Sequence, residues 1–210
     1  MTASLVWITP DAERLIAHIA RVSNPTNQDN PDYERLLKYL LEHKHVSPFE
    51  MASACVEINT TRDIGRQMLR HRSFSWQEFS GRYQDFGQLP PAELREARLQ
   101  DTKNRQNSFD LGPGPLADHW EMIQHEVYEK AVTRYEEALA AGIAKEQARA
   151  LLPEGLTPTR MYMSGTIRSF IHYLQVRLDP STQKEHRQIA QKIADLLRHE
   201  IPTIMRAAGL

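Results

Sequence analysis

The stretch "ASACVEINTTRDIGRQMLRH", residues 52–71, carries both periods of protein secondary structure in direct succession and sets the fold class. Ala54, Val56 and Ile58 alternate with Cys55, Glu57 and Asn59, the period of two that specifies a half-buried strand. After Thr61, read as an N-cap, the period changes, and Ile64, Met68 and Leu69 fall on the inner side of a short helix. The same succession recurs later, with "TRMYMSG" as a strand and "TIRSFIHYLQVRL" as a helix. Helices dominate elsewhere. "TPDAERLIAHIARVS" has Thr9 as cap, Pro10 at the first position and a stripe of Leu15, Ile16, Ile19 and Val22. "NPDYERLLKYLLEHK" repeats the device, with Asn30 as cap and Leu36, Leu37, Leu40 and Leu41 inward. A long helix ends at Gly142 and has Leu116, Trp120, Ile123, Val127, Ala131, Tyr135 and Leu139 on one side. "KEQARALLPEG" gives a short helix stopped by Pro153, and "TQKEHRQIAQKIADLLRHE" a further one. The expected fold is α+β: a helix-rich single domain over residues 1–210 with a small antiparallel sheet. A polar loop excursion at about 87–116, rich in Pro, Gly, Asn, Gln and Arg and expected to be mobile and without regular structure, interrupts it.

Composition narrows the function. Apolar residues make up 40% and charged residues 25% of the 210, the balance of a soluble globular chain. Lys and Arg total 26 against 27 acidic residues, which argues against long nucleic acids as the main partner. Of these cations 19 are arginine, whose planar fork suits carboxylates and phosphates. The single cysteine, Cys55, excludes an intrachain disulfide and points to a reducing compartment. "LVWI" is too short for a signal-peptide core or a membrane span, so a cytoplasmic protein with no membrane partner is expected. The nine histidines lack metal-ligand spacing, no glycine-rich phosphate loop is present, and no metal site is expected.

Chemistry concentrates at "RHRSFSWQEFSGRY", residues 70–83. Gln67, Arg70 and His71 share one helix face, Arg72 stands at the helix end, and Glu78, Ser80, Gly81 and Arg82 follow the turn. Crowded cations are either a solvated helix end paired with Glu78 or half of an anion site. The interleaved Ser73, Ser75, Ser80 and Gly81 favour the second, because they allow close approach and add short donors. In the later helix Arg168, His172 and Gln175 share a polar face. Arg177 lies on the apolar stripe of Phe170, Tyr173 and Leu174, either snorkelling or aimed at a ligand across an interface. Arg149 in "ARALLP" reads alone as a solvated charge, and Cys55 as a packing residue. Without a chromophore the cluster would suit a phosphate- or RNA-binding arginine-rich module without catalysis, and without any ligand a helical scaffold.

The 70–83 stretch closely resembles the signature of the flavin-dependent thymidylate synthases, written RHRxxSxNExSxRY. "ARVS" near Ser23, "HVSPFE" at 45–50, "ARALLP" at 148–153 and "TIRSFIHYLQVR" at 166–177 are similar to other segments of that family, in the right order. The resemblance implies a homotetramer of α+β subunits with active sites at subunit interfaces, each holding FAD. It implies methylation of dUMP to dTMP, with 5,10-methylenetetrahydrofolate as carbon donor and NADPH as reductant. Carried over by position, Ser47, Arg70, His71, Arg72, Ser73, Glu78, Thr166, Ile167, Arg168 and His172 would contact FAD. The nucleotide would meet Gln67, Met68, Leu69, Arg70, Glu78, Phe79, Ser80, Gly81, Arg82, Arg149 and Arg177. Arg177 would be the catalytic residue, favouring ionisation at N3 of the uracil. The chain departs from the family pattern at Gln77, where Asn is usual, and at Met51, where many members have a second His. Thr166 and His172 stand where some members have Asn.

Overall fold

In the computed structural model, which describes residues 1–91 and 93–210, strands and helices follow one another as β1 (Thr2–Ile8), α1 (Ala12–Ala20), α2 (Glu34–Glu42), β2 (Ser53–Thr61), α3 (Arg62–Met68) and β3 (Ser75–Glu78), then β4 (Arg98–Gln100), β5 (Ser108–Asp110), α4 (Pro115–Ala140), α5 (Lys145–Ala148), β6 (Pro158–Thr166), α6 (Ile167–Arg177), α7 (Lys184–Glu200) and α8 (Pro202–Ala207). Four strands form an antiparallel sheet in the order β1-β2-β6-β3, and β4 and β5 form a separate hairpin. The alternation in β2 has its expected consequence. Ala54, Val56 and Ile58 are fully buried, together with Met161 and Met163 of β6, beneath Ile64 and Met68 of α3, Phe170 and Leu174 of α6, and Ile189, Ile193 and Leu197 of α7. β2 and β6 are each followed at once by a helix, so α3 and α6 leave the sheet at opposite ends of an antiparallel pair. That placement brings the two arginine-bearing segments to the same layer.

Several expected boundaries move. Thr9 does not cap α1, because its hydroxyl is spent on β2: it donates to the Ser53 carbonyl (3.1 Å) and accepts from the Ser53 N–H (2.9 Å). The helix begins later, after Asp11, and Val22 beyond its end is exposed. Asn30 likewise makes a local turn, accepting from the Asp32 N–H at 2.9 Å, and α2 starts at Glu34. Buried Glu13 accepts from the Ile204 N–H (2.8 Å), so a carboxylate on α1 satisfies an orphan donor in the first turn of α8.

The largest correction concerns α4. Of its expected stripe only Tyr135 is buried, while Leu116, Trp120 and Val127 are exposed. The inward contact is polar instead. Gln124, buried, accepts from the Arg95 N–H (2.7 Å) and donates to the Arg95 carbonyl (2.8 Å), and the Trp120 indole donates to that carbonyl too (2.9 Å). The 87–116 excursion is therefore not structureless. It is tied to α4 at Arg95 and folded into the β4–β5 hairpin, with Lys184 of α7 pairing with Asp110 (3.0 Å) and Glu96 (2.8 Å).

Candidate active site

α3 delivers the motif at its C-terminal end. Arg70 and Arg72 emerge there, exposed and without an ion-pair partner among the described residues. The surface pairing to Glu78 does not form. Glu78 instead accepts from the Thr159 hydroxyl (2.8 Å) and lies 3.8 Å from Arg62, so the cations at the helix end remain open to an outside anion.

His71 turns inward, and Arg177 reaches it from the last turn of α6, donating from Nε to His71 Nε2 at 2.8 Å. His71 can accept because it is neutral. Burial first, then the charges of Arg177 and His172, push its pKa down to about 4. Nη1 and Nη2 of Arg177 have no hydrogen-bond partner among the described residues, so the planar fork is held by its stem with its tip free. A snorkelling arginine would show the reverse.

Beside this pair lies a cavity of about 450 Å³, within the range of small-ligand pockets, lined by Val46, Phe49, Ser73, Arg168, Ile171, His172 and Gln175 among others. The shared face of Arg168, His172 and Gln175 thus opens on one pocket together with Ser73. Glu50 holds Arg168 by an ion pair, and the Ser169 hydroxyl donates to the Ser73 carbonyl (3.3 Å), docking the motif onto α6. Ser47 is exposed in the 3-10 turn Ser47–Glu50 packed on α6. Thr166 is the N-cap of α6, its hydroxyl accepting from the Ser169 N–H at 3.2 Å. Met51 and Gln77 are exposed. Met68 and Ile167 are fully buried in the core, so their side chains are unavailable and only their backbone can meet a ligand.

The other half of the motif lies elsewhere. β3 runs antiparallel to β6 from Ser75 opposite Ser164 to Glu78 opposite Met161, and Phe79 N–H donates to the Arg160 carbonyl (2.8 Å). The whole of β3, itself three strand steps or about 10 Å long, lies between the Arg70–Ser73 turn and Ser80–Arg82. There Arg82 lies 3.4 Å from the Glu146 carboxylate, Arg149 Nε donates to the Glu146 carbonyl (3.3 Å), and Lys145 donates to the Tyr83 carbonyl (3.2 Å). The predicted residues thus form two groups, one around His71 and Arg177 and one around Arg82 and Arg149, at opposite ends of an edge strand.

Gly81 is needed in the second group for space. A Cβ there would stand 2.1 Å from the ring of Phe86, which is buried against Tyr135 and Ala148. We expect Gly81→Ala to lose about 1–3 kcal/mol of stability by overpacking. Gly155→Ala, where the nearest atom is 3.9 Å away, should be neutral or gain a few tenths of a kcal/mol. Urea denaturation of both variants measures this, and equal stabilities would refute the steric reading.

Reasoning from sequence missed Gln183, Glu185, His186 and Tyr173, which form a polar chain behind Gln67. The Tyr173 hydroxyl lies 3.1 Å from His186 Nε2, and Gln67 Nε2 donates to Gln183 Oε1 at 2.6 Å. The signal in the sequence is Gln183, Glu185 and His186 together at the start of a helix, a pattern that ordinary first-turn polarity also produces.

Comparison with known proteins shows what the chain is similar to. The family model described as "Thymidylate synthase complementing protein" matches residues 4–203. A probable flavin-dependent thymidylate synthase of Paramecium bursaria Chlorella virus 1 is 46% identical over 99% of this chain and 98% of its own length. The flavin-dependent thymidylate synthase of Synechocystis sp. is 50% identical over 93% of this chain and 88% of its own. Among solved structures, a UMP/dUMP methylase, PolB, from Streptomyces cacaoi bound with 5-Br dUMP superposes with a TM-score of 0.83 at 25% identity, covering 98% of this chain and 93% of that one.

Proposed function

The chain belongs to the flavin-dependent thymidylate synthases, and from that premise we propose that it methylates dUMP to dTMP with 5,10-methylenetetrahydrofolate as carbon donor, NADPH as reductant and FAD as bound cofactor. Membership of an enzyme family displaces the reading as a non-catalytic phosphate or RNA grip.

The observation that carries the mechanism is the fork of Arg177, held at Nε by neutral His71 with its tip free. Uracil C5 is a weak nucleophile. It gains electron density either from a thiol adding at C6 or from loss of the N3 proton. Arg177 serves the second route, because a guanidinium stays charged and presents paired donors to a planar anion. Gln67 and the backbone of Met68 and Leu69 would flank the base, while Ser80, Gly81, Arg82 and Arg149 would grip the phosphate, with Glu78, Phe79 and Arg70 between them.

The donor set suits a flavin nucleotide. The cavity offers apolar walls at Val46, Phe49 and Ile171, hydroxyl and imidazole donors at Ser73 and His172, and a cation at Arg168, and Arg70 and Arg72 stand exposed at the end of α3, in the same turn as Ser73, for a pyrophosphate. Ser47, His71, Glu78, Thr166 and the Ile167 backbone complete the residues that would hold FAD. When bound, it supplies the hydride.

The split of the site supports a shared assembly, which we take to be a homotetramer. The phosphate group and the base group stand at opposite ends of β3, whose outer edge is unpaired among the described residues, so a neighbouring subunit can bring complementary halves together. Exposed Leu116, Trp120 and Val127, on one side of α4, offer an apolar surface for such a neighbour. A reducing, cytoplasmic setting suits the single Cys55, and among the described residues no helix is long and apolar enough to cross a membrane.

The test is the absorbance spectrum of the purified protein, with its mass by light scattering. The protein is expected to be yellow as purified or after adding FAD, to bleach with NADPH under anaerobic conditions, and to have the mass of four chains. Failure to retain any flavin would overturn the catalytic reading, and a fully active monomer would overturn the shared site.

A further inference from the structure

The polar chain behind Gln67 has a defined direction. Arg98, on β4 of the excursion hairpin, forms an ion pair with Glu185, and the two side chains are only 13% and 7% exposed. Gln183 Nε2 donates to the other carboxylate oxygen of Glu185 at 2.9 Å, and Gln67 Nε2 donates to Gln183 Oε1 at 2.6 Å. Gln67 Oε1 lies 3.4 Å from His186 Nδ1, and His186 Nε2 lies 3.1 Å from the Tyr173 hydroxyl. Burial opposes ionisation of Glu185, but the bonds from Arg98 and Gln183 outweigh it and hold the carboxyl below its ordinary range.

An ionised carboxylate can only accept, and this decides every bond that follows. Gln183 must turn its amino group to Glu185, which leaves its oxygen for Gln67. Gln67 must then turn its amino group to Gln183 and its oxygen to His186. His186 carries its proton on Nδ1 and accepts from Tyr173 at Nε2, as a neutral imidazole can. A reversed amide anywhere along the chain would set oxygen against oxygen in a partly buried site.

We propose that Glu185, clamped by Arg98 of the excursion hairpin, is a positioning residue that fixes through Gln183 which edge of the Gln67 amide meets the nucleotide. The proposal rests on the placement of Gln67 in the dUMP site above. After its internal bonds, Gln67 has one N–H and one oxygen lone pair left for a ligand, and a flip exchanges their places. The excursion thereby gains a function, since docking of its hairpin supplies the cation that keeps Glu185 charged.

The experiment compares Glu185→Gln, Gln183→Leu and the double variant with the wild-type holoenzyme, measuring KM for dUMP, kcat and flavin content. Glutamine at 185 can donate or accept, so the direction is lost. Leucine at 183 cuts the chain while leaving the buried ion pair intact, so that variant keeps the fold if Glu185→Gln does not. Each single variant should raise KM for dUMP about tenfold, the cost of one misdirected buried hydrogen bond. kcat at saturating dUMP and flavin content should stay near wild type, and the double variant should be no worse than either single. An unchanged KM in Gln183→Leu would overturn the proposal, as would parallel losses of KM, kcat and flavin, which mark a merely structural role. A wild-type protein that takes up flavin but neither binds nor methylates dUMP would overturn the functional reading itself, and this proposal with it.

Discussion

Arg177→Lys is expected to lower dTMP formation at least about a hundredfold, the order lost when one preorganised oxyanion donor is removed, while Cys55→Ser leaves turnover intact. Lysine keeps the charge but has no Nε–H with a fork beyond it, so it cannot both rest on His71 and present paired donors to a uracil edge. The alternative activation, thiol addition at C6, would need Cys55, and the fold places that residue badly. In β2 it sits opposite Trp7 and Ser164 on the face turned away from the core, whereas Ala54 and Val56 face the layer containing α3 and α6. Burial also raises its pKa, so at neutral pH the side chain is a thiol rather than the thiolate nucleophile. Cys55→Ser should cost about 1 kcal/mol of stability. Flavin content and dTMP formation, measured for both variants together, decide the matter. An inactive Cys55→Ser beside an active Arg177→Lys would reverse the mechanism.

How far these features could be read in advance depended on where the physics that sets them is local. β2, α3, β6 and α6 were legible because their alternations answer to one continuous core, and burial writes a period into the sequence. β1 was not, because a register shift between Leu5 and Trp7 breaks its period and leaves Val6 and Trp7 both exposed. β3 has four residues and only Trp76 packed on the core, so its existence depends on pairing with β6. The stripe on α4 was real as a pattern, but Leu116, Trp120 and Val127 on it stay exposed. The excursion read as loop because its hairpin is held by distant partners, Glu185 and Lys184, that no local window contains. In the site, the motif residues were legible from chemistry and spacing. The chain from Glu185 to Tyr173 was not, since polar residues opening a helix look like caps until the fold buries them.

Two histidines, His71 in the site and His186 behind it, make acid stability a test of the site. Burial first, then the charge of Arg177, holds His71 down to about 4 and His186 down to about 3, against an unfolded value near 6.5. Because the folded values are depressed, the unfolded chain takes up these protons first as pH falls. The contribution to stability is fully present above about pH 6.5 and is lost below it, down to about 4 for His71 and about 3 for His186. Each pH unit costs about 1.4 kcal/mol for a fully buried neutral imidazole, so His186 alone should cost about 3 kcal/mol between pH 6.5 and 4. His71, partly exposed, should cost less. Urea denaturation across this range should show a steep acid limb, and His186→Gln, which keeps a partner for Tyr173 but cannot titrate, should flatten it. An identical slope in the variant would mean that His186 is charged or hydrated in the folded state, and the bond directions assigned from Glu185 to Tyr173 would then be wrong. The same neutrality lets His71 accept from Arg177, so activity should fail on the acid side together with the fold: a protonated His71 would no longer accept from the guanidinium but repel it.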